Sequence, residues 1–237
     1  MMQESPRQLP LGELREGMLS IKHDSLILSR PSEDPRTEEL RGIVTRVEEV
    51  NPENEEALSE FARKYLRLLK NRANRHHFTG IPRSPEELEA ELEKRGVHGL
   101  AIFNGFNEIV GFATIVDADV DQNDNWLNKF VVVNNLQNKK QGGKPKHVGR
   151  QALNKVAEWT FTTPTYDRRQ RESLHAAVVM KVPNSERMDD LLTHYGFEPK
   201  MRLENQARVF LYGRSLLKPV TRFALERRKW EIEHSQE

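Results

Sequence analysis

The sequence predicts a mixed α/β domain, for three reasons. Short β-branched runs such as "LNKFVVVNN" and "LHAAVVMKV" read as strands. Longer stretches with apolar residues at helical spacing read as helices. Strands also follow one another directly, so the order is β-α-α-β-β-β-α-β-α-β-β and not a strict alternation.

The elements follow from local chemistry. "MMQESPRQLPLGELREG" and "SRPSEDPRTEEL" hold proline and charge with few large apolar groups, too little to offset the entropy of ordering. Between them "MLSIKHDSLILS" has the pattern of one or two short strands. We expect residues 1–40 to be an extension, 41–214 the domain, and 215–237 a helical tail interrupted near Pro219. Arg41–Val50 predicts the first strand. Asn51 or Asn54 can cap the helix that follows, whose stripe is Leu58, Phe61, Tyr65, Leu66, Leu68 and Leu69. "SPEELEAELEKRG" is a second helix, with Ser84 as cap, Pro85 in the first turn and Gly96 past the end. "HGLAIFNG" and "EIVGFATIVDADV" predict a hairpin closed by "GFNE". "LNKFVVVNN" is a third strand, a helix runs from Val148 to Phe161, and "LHAAVVMKV" is a strand of buried type. "SERMDDLLTHYGF" is a helix that stops at Gly196. "EPKMRLE" and "ARVFLYGR" predict two closing strands.

Composition bounds the function. The 237 residues carry a net charge of +1 with 31% charged residues, so partners must be sought in local patches and not in the overall field. No cysteine is present, which excludes disulfides, zinc-thiolate sites and a cysteine nucleophile. The first residues lack a signal-type apolar stretch, and no run approaches the roughly 20 apolar residues of a membrane span. The expectation is a soluble, cytoplasmic protein.

"KPKHVGRQALNKVAEW" is the stretch that suggests chemistry. A strand leads through a basic loop into a helix, and the free N–H groups of a first helical turn form an anion site. Gly149 permits close backbone approach, while Lys144, Lys146 and Arg150 add charge. A solvated basic turn is the alternative. The spacing is not that of a Walker loop.

Two segments resemble the GCN5-related N-acetyltransferase (GNAT) superfamily, and the order of elements from about Arg41 to Arg214 resembles it too. "KFVVVNN" followed by "KPKHVGRQAL" resembles the family's strand, pyrophosphate loop and helix start, of the form Gln/Arg-x-x-Gly-x-Gly/Ala. Lys144 falls at the Gln/Arg position, His147 at the first glycine and Gly149 at the second, where alone the match is literal. "VPNSERMDDLLTHYGFEPK" resembles the family's helix and turn into the last hairpin. Gly196 and Phe197 match, Ser185 stands at the usual asparagine with Asn184 beside it, and Leu192 stands at the usual tyrosine.

The resemblance implies a GNAT-like α/β (α+β) fold: a central mixed, mostly antiparallel sheet of six or seven strands with helices on both faces. It implies acetyl-CoA as co-substrate, with direct acetyl transfer to an amine in a ternary complex. The implied cofactor-binding residues are Val131, Val132 and Val133 on the strand, Lys144, Lys146, His147, Val148, Gly149 and Arg150 at the loop and helix start, and Asn184 and Ser185. A bulge that splays the valine strand from its neighbour would free N–H groups for the thioester oxygen and the pantetheine arm. No metal is implied.

Tyr195 is the candidate acid for the departing thiolate; the competing reading is that it packs in the core before Gly196. His194 and His147 are candidate bases or surface residues. Asp117, Asp119, Asp121 and Asp124 could hold an amine, or form a solvated turn. Arg75, His76 and His77 do not make a metal site, because adjacent histidines on a helix point apart. The runs "NKKQGGKPK" and "RRQR" lack interleaved aromatics, which disfavours nucleic acid, though a tRNA-linked acceptor and an oligomer stay open. Two functions follow: an acetyl-CoA-dependent N-acetyltransferase, or a catalytically inactive GNAT-fold module that binds coenzyme A or a partner protein.

Overall fold

A computed structural model describes residues 43–71, 74, 78, 80–118, 124–132, 140–141, 144–145, 147–165, 168–180, 182, 185–211 and 214–234, with backbone alone at 140–141, 144–145, 210–211, 214 and 233–234. The expected extension, residues 1–40, lies outside them. The strands are β1 (Val44–Glu49), β2 (Val97–Asn104), β3 (Ile109–Val116), β4 (Trp126–Val132), β5 (Lys140–Gln141), β6 (Lys144–Pro145), β7 (Ser173–Val179), β8 (Glu198–Leu211) and β9 (Arg214–Glu226). The helices are α1 (Glu55–Lys70), α2 (Pro85–Leu92), α3 (Val148–Thr162), α4 (Ser185–His194) and α5 (Arg227–His234).

Seven strands form one sheet in the order β1-β2-β3-β4-β7-β9-β8, and β5 pairs with β6 in the loop before α3. All neighbours in the large sheet are antiparallel except β4 and β7. That parallel pair is joined through α3, the crossover that a strand-helix-strand unit requires.

α1 and α2 cover one face. Asn54 Oδ1 accepts from the Ala57 amide at 3.0 Å, and Ser84 Oγ from the Glu87 amide at 3.3 Å, so both predicted caps are made. The α1 stripe buries Phe61 and Tyr65 against Phe112 of β3, with ring centroids 5.0 and 5.1 Å away. The Tyr65 hydroxyl donates to the Lys129 carbonyl at 3.1 Å and accepts from Thr114 Oγ1 at 3.2 Å, which satisfies it in the core.

α3 lies on the other face, and two contacts fix its aim. Near its start, Gln151 Oε1 accepts from the Val44 amide of β1 at 2.9 Å. At its end, the fully buried Arg171 donates to the carbonyls of Thr160 and Thr163, the favourable placement for a cation at a helix C-terminus. Arg171 also donates through Nε to Asp117 Oδ1 at 2.8 Å. His98 of β2 bridges Glu49 Oε1 at 2.6 Å and Asp117 Oδ2 at 3.0 Å. Trp159 lies against both, its ring 5.4 Å from His98 and 5.0 Å from the Arg171 guanidinium carbon. Asp117, expected as an amine-holding candidate or turn residue, belongs to this buried network.

The C-terminal expectations need correcting. "EPKMRLE" and the first part of "ARVFLYGR", as far as Leu211, form one strand, β8, with a break in register between Leu203 and Ala207. The expected helical tail is instead β9 followed by the short α5. The β-branched pair Val220 and Thr221 suits a strand, and β9 gains partners on both sides, β7 and β8. Pro219 lacks a donor, but it falls where β8 is out of register, and its carbonyl accepts from the Met180 amide at 2.8 Å. The sheet therefore reaches past residue 214 to Glu226.

Burial alone would push the His98 imidazole down, but its bonds to Asp117 and Glu49 outweigh that and hold it up at about 9. Its folded pKa thus exceeds the unfolded value of about 6.5, so its contribution is full below about pH 6.5 and is lost as pH rises through 9. We predict that unfolding free energy falls by about 3 kcal/mol from this group between pH 6.5 and 9.5. Denaturant titrations across that range should show the fall in the wild type and a flatter, lower profile in His98→Gln. Equal slopes would assign the pH dependence elsewhere.

Candidate functional site

The site follows from a single irregularity in β4. Ile115 of β3 pairs with Leu127 and Thr114 with Lys129, so Asn128 is one residue too many and bulges. The parallel pairing of β4 with β7 ends at the same place: Trp126 pairs with His175, Leu127 with Ala176, and there it stops. Beyond it β4 keeps β3 as partner as far as Val132, and β7 keeps β9 as far as Val179. The strands diverge and the sheet opens into a cleft. Gly111 lets β3 follow the bulged strand closely, since a Cβ there would lie 2.6 Å from the Val131 carbonyl oxygen.

The cleft has a volume of about 710 Å³, the size of a small-molecule or cofactor site. Its walls are Trp126, Leu127, Asn128 and Phe130 of β4 and Ala176 to Val179 of β7. Leu153 of α3 and Met188 and Leu192 of α4 close it on one face of the sheet. Phe78, Gly80 and Arg222 belong to its wall as well, with Leu203, Gln206, Ala207 and Arg208 of β8. The cleft therefore passes between the two halves of the sheet.

α3 reaches this cleft through Leu153, just past its first turn. His147 is its N-cap in the left-handed region, with φ of 49° and no side-chain cap. The first turn contains no acidic residue, and the amides ahead of Gln151, whose N–H reaches the His147 carbonyl at 3.0 Å, have no intrahelical acceptor. Gly149 leaves its surface open: an added Cβ would touch only Leu191 Cδ2, at 3.9 Å.

The predicted site residues fall into three groups. Val131 and Val132 are buried in the diverging part of β4, and Val148, Gly149 and Arg150 form the first turn of α3. Lys144 lies in β6, in the loop before α3. Val133, Lys146 and Asn184 lie outside the described residues, as do Asp119, Asp121, Arg75, His76 and His77. Ser185 is buried at the start of α4, its amide bonded to the Val182 carbonyl at 3.1 Å. Leu192 is in the cleft wall and Tyr195 is not. The buried Tyr195 donates its hydroxyl to Asn154 Oδ1 of α3, tying the end of α4 to that helix. Three contributors escaped the sequence reading: Asn128, Arg208 and Arg222. A lone asparagine marks a bulge only once its register is known, and the arginines lie on strands assigned no role.

The chain has the GNAT fold. It is similar in structure to a spermidine N-acetyltransferase from Vibrio cholerae in complex with CoA and spermine, with a TM-score of 0.59 and 13% identity over 79% of this chain and 97% of that one. It is likewise similar to a dodecameric spermidine N-acetyltransferase of that organism in an intermediate state, with a TM-score of 0.56 and 13% identity over 82% of this chain and 98% of that one. No protein-family model matches the sequence, and no curated protein does. Among the described residues no helix is long and apolar enough to cross a membrane.

Two substitutions separate binding from scaffold. If the first turn of α3 receives a pyrophosphate, as the sequence resemblance implies, Gly149→Glu should weaken coenzyme A binding at least about 100-fold by setting a carboxylate against it. The same acid suits a helix first turn, so stability should hold within about 0.5 kcal/mol. Calorimetry showing unchanged affinity would put the phosphates elsewhere. Tyr195→Phe should cost about 1 kcal/mol of stability and, if the resemblance holds for activity, leave acetyl transfer nearly unchanged. A drop of roughly 100-fold in turnover at unchanged acetyl-CoA affinity would instead make Tyr195 the acid.

Proposed function

We propose that the protein is an acetyl-CoA-dependent N-acetyltransferase that transfers the acetyl group directly to an amine. The observation that carries this reading is the divergence of β4 from β7 at the Asn128 bulge, together with the uncapped, open start of α3, whose Leu153 lines the same cleft. In this reading the amides of β4 that point away from β3 bind the pantetheine arm and polarise the thioester carbonyl. The first turn of α3, with Gly149, receives the pyrophosphate. The similar Vibrio cholerae enzyme, solved with CoA bound, supports the choice of cofactor.

Much of the rate can come from alignment of two reactants in one cleft, because a thioester is already reactive. That matters here because Leu192, and no tyrosine, lies in the wall at the position matched to the family's acid. The same observation favours a second reading, a module that binds coenzyme A without catalysis.

Acetyl-CoA at 100 times its dissociation constant should raise stability by about 2.7 kcal/mol, read as a thermal shift. Release of free thiol on adding an amine then establishes the enzyme. A shift with no thiol release from any amine would leave the binding module, and no shift would remove both readings.

A further inference from the structure

We propose that the acceptor is an amine that also carries an anionic group, a carboxylate or a phosphate, held by Arg222; this rests on the acetyltransferase reading. Among the described residues the cleft wall contains two arginines, Arg208 and Arg222, and no aspartate or glutamate. Neither guanidinium has a carboxylate partner among those residues. Carboxylates close to the wall are already engaged. Glu91 accepts from Lys129 Nζ at 2.5 Å and from Asn128 Nδ2 at 3.2 Å, and Asp124 lies 3.1 Å from His175 Nε2.

The position of Arg222 separates it from the coenzyme. Register places it opposite Ala177, on the face of the sheet that carries Trp126 and His175. Its guanidinium carbon lies 5.4 Å from the centre of the Trp126 ring, which orients the cation over an aromatic face. α3 covers the opposite face, through Trp159 against His98, and the pyrophosphate reading belongs to the start of that helix. Arg222 therefore lies on the other face of the sheet from the helix that would hold the pyrophosphate. A guanidinium only donates, and its fork of N–H groups matches a carboxylate or phosphate. Spermine, present in the similar Vibrio cholerae structure, would bring positive charge against these arginines.

The transfer step keeps its balance. The neutral amine nitrogen bonds to the acetyl carbon, the C–S bond breaks, and the proton that leaves nitrogen ends on the coenzyme A sulfur. The anionic group takes no part beyond holding the amine in place.

Calorimetry with saturating coenzyme A tests the proposal on matched pairs: O-phosphoethanolamine with ethanolamine, and glycylglycine with its C-terminal amide, with spermine as the polycation. In at least one pair the anionic member should bind at least about tenfold more tightly than its neutral mate, and spermine should bind more weakly than that member. The pair that responds tells phosphate from carboxylate. Arg222→Gln should remove the preference at unchanged coenzyme A affinity, and Arg222→Lys should keep part of it. No preference in either pair, tightest binding by spermine, or a preference that survives Arg222→Gln would each overturn it. Coenzyme A binding without preference sinks this proposal alone; absence of coenzyme A binding sinks the acetyltransferase reading with it.

Discussion

Two residue pairs hold the halves of this sheet together. Among the described residues, Trp126 with His175 and Leu127 with Ala176 are the whole ladder between β1-β2-β3-β4 and β7-β9-β8. The joint is reinforced by Asn125, whose carbonyl accepts from the His175 amide at 2.7 Å and whose side chain donates to the Ser173 carbonyl at 3.2 Å. Everything past Leu127 is forced apart by the extra residue at Asn128. A fully paired β4 would spend its backbone groups on the ladder and leave no cleft. The bulge instead leaves polar backbone facing the cleft, which is costly unless water or a ligand satisfies it.

The open joint demands rigidity elsewhere, and α3 supplies it. Gln151 ties its start to the edge strand β1, and Arg171 holds its last carbonyls from a site with no exposed surface. The His98, Glu49, Asp117 and Arg171 cluster sits at the end of the sheet away from the divergence, and there it joins β1, β2 and β3 to the same helix. A helix anchored at both ends presents its first turn in a fixed direction, which is what preorganised binding of an anion requires. Breaking one member would leave buried charge unpaired, so the cluster holds the scaffold.

Most of the fold was legible because local signals agreed with one another. Asn54, Ser84, Gly96 and Gly196 punctuate the helices as read, and the Gly105–Glu108 turn closes the predicted hairpin. The count of seven strands agreed for a partly wrong reason: one long strand was read as two, and β9 was read as a helix. Pro219 misled, because its tolerance depends on a register break in a neighbouring strand, which no local pattern contains. The candidate site was legible where a glycine begins a helix and opaque where residues meet across strands. Gly149 could be picked from its neighbours in sequence. Asn128, Trp126 and Arg222 acquire meaning only from pairing between distant segments.

Amide hydrogen exchange on β4, with and without coenzyme A, tests the central claim most directly. Amides of Asn128–Val132 that point away from β3 should exchange fast in the free protein and become protected when coenzyme A is added. Those shared with β3, and the Trp126–Leu127 joint with β7, should be protected throughout. Protection of all β4 amides without ligand, or no change on adding it, would mean that the diverging strands are not where the cofactor sits.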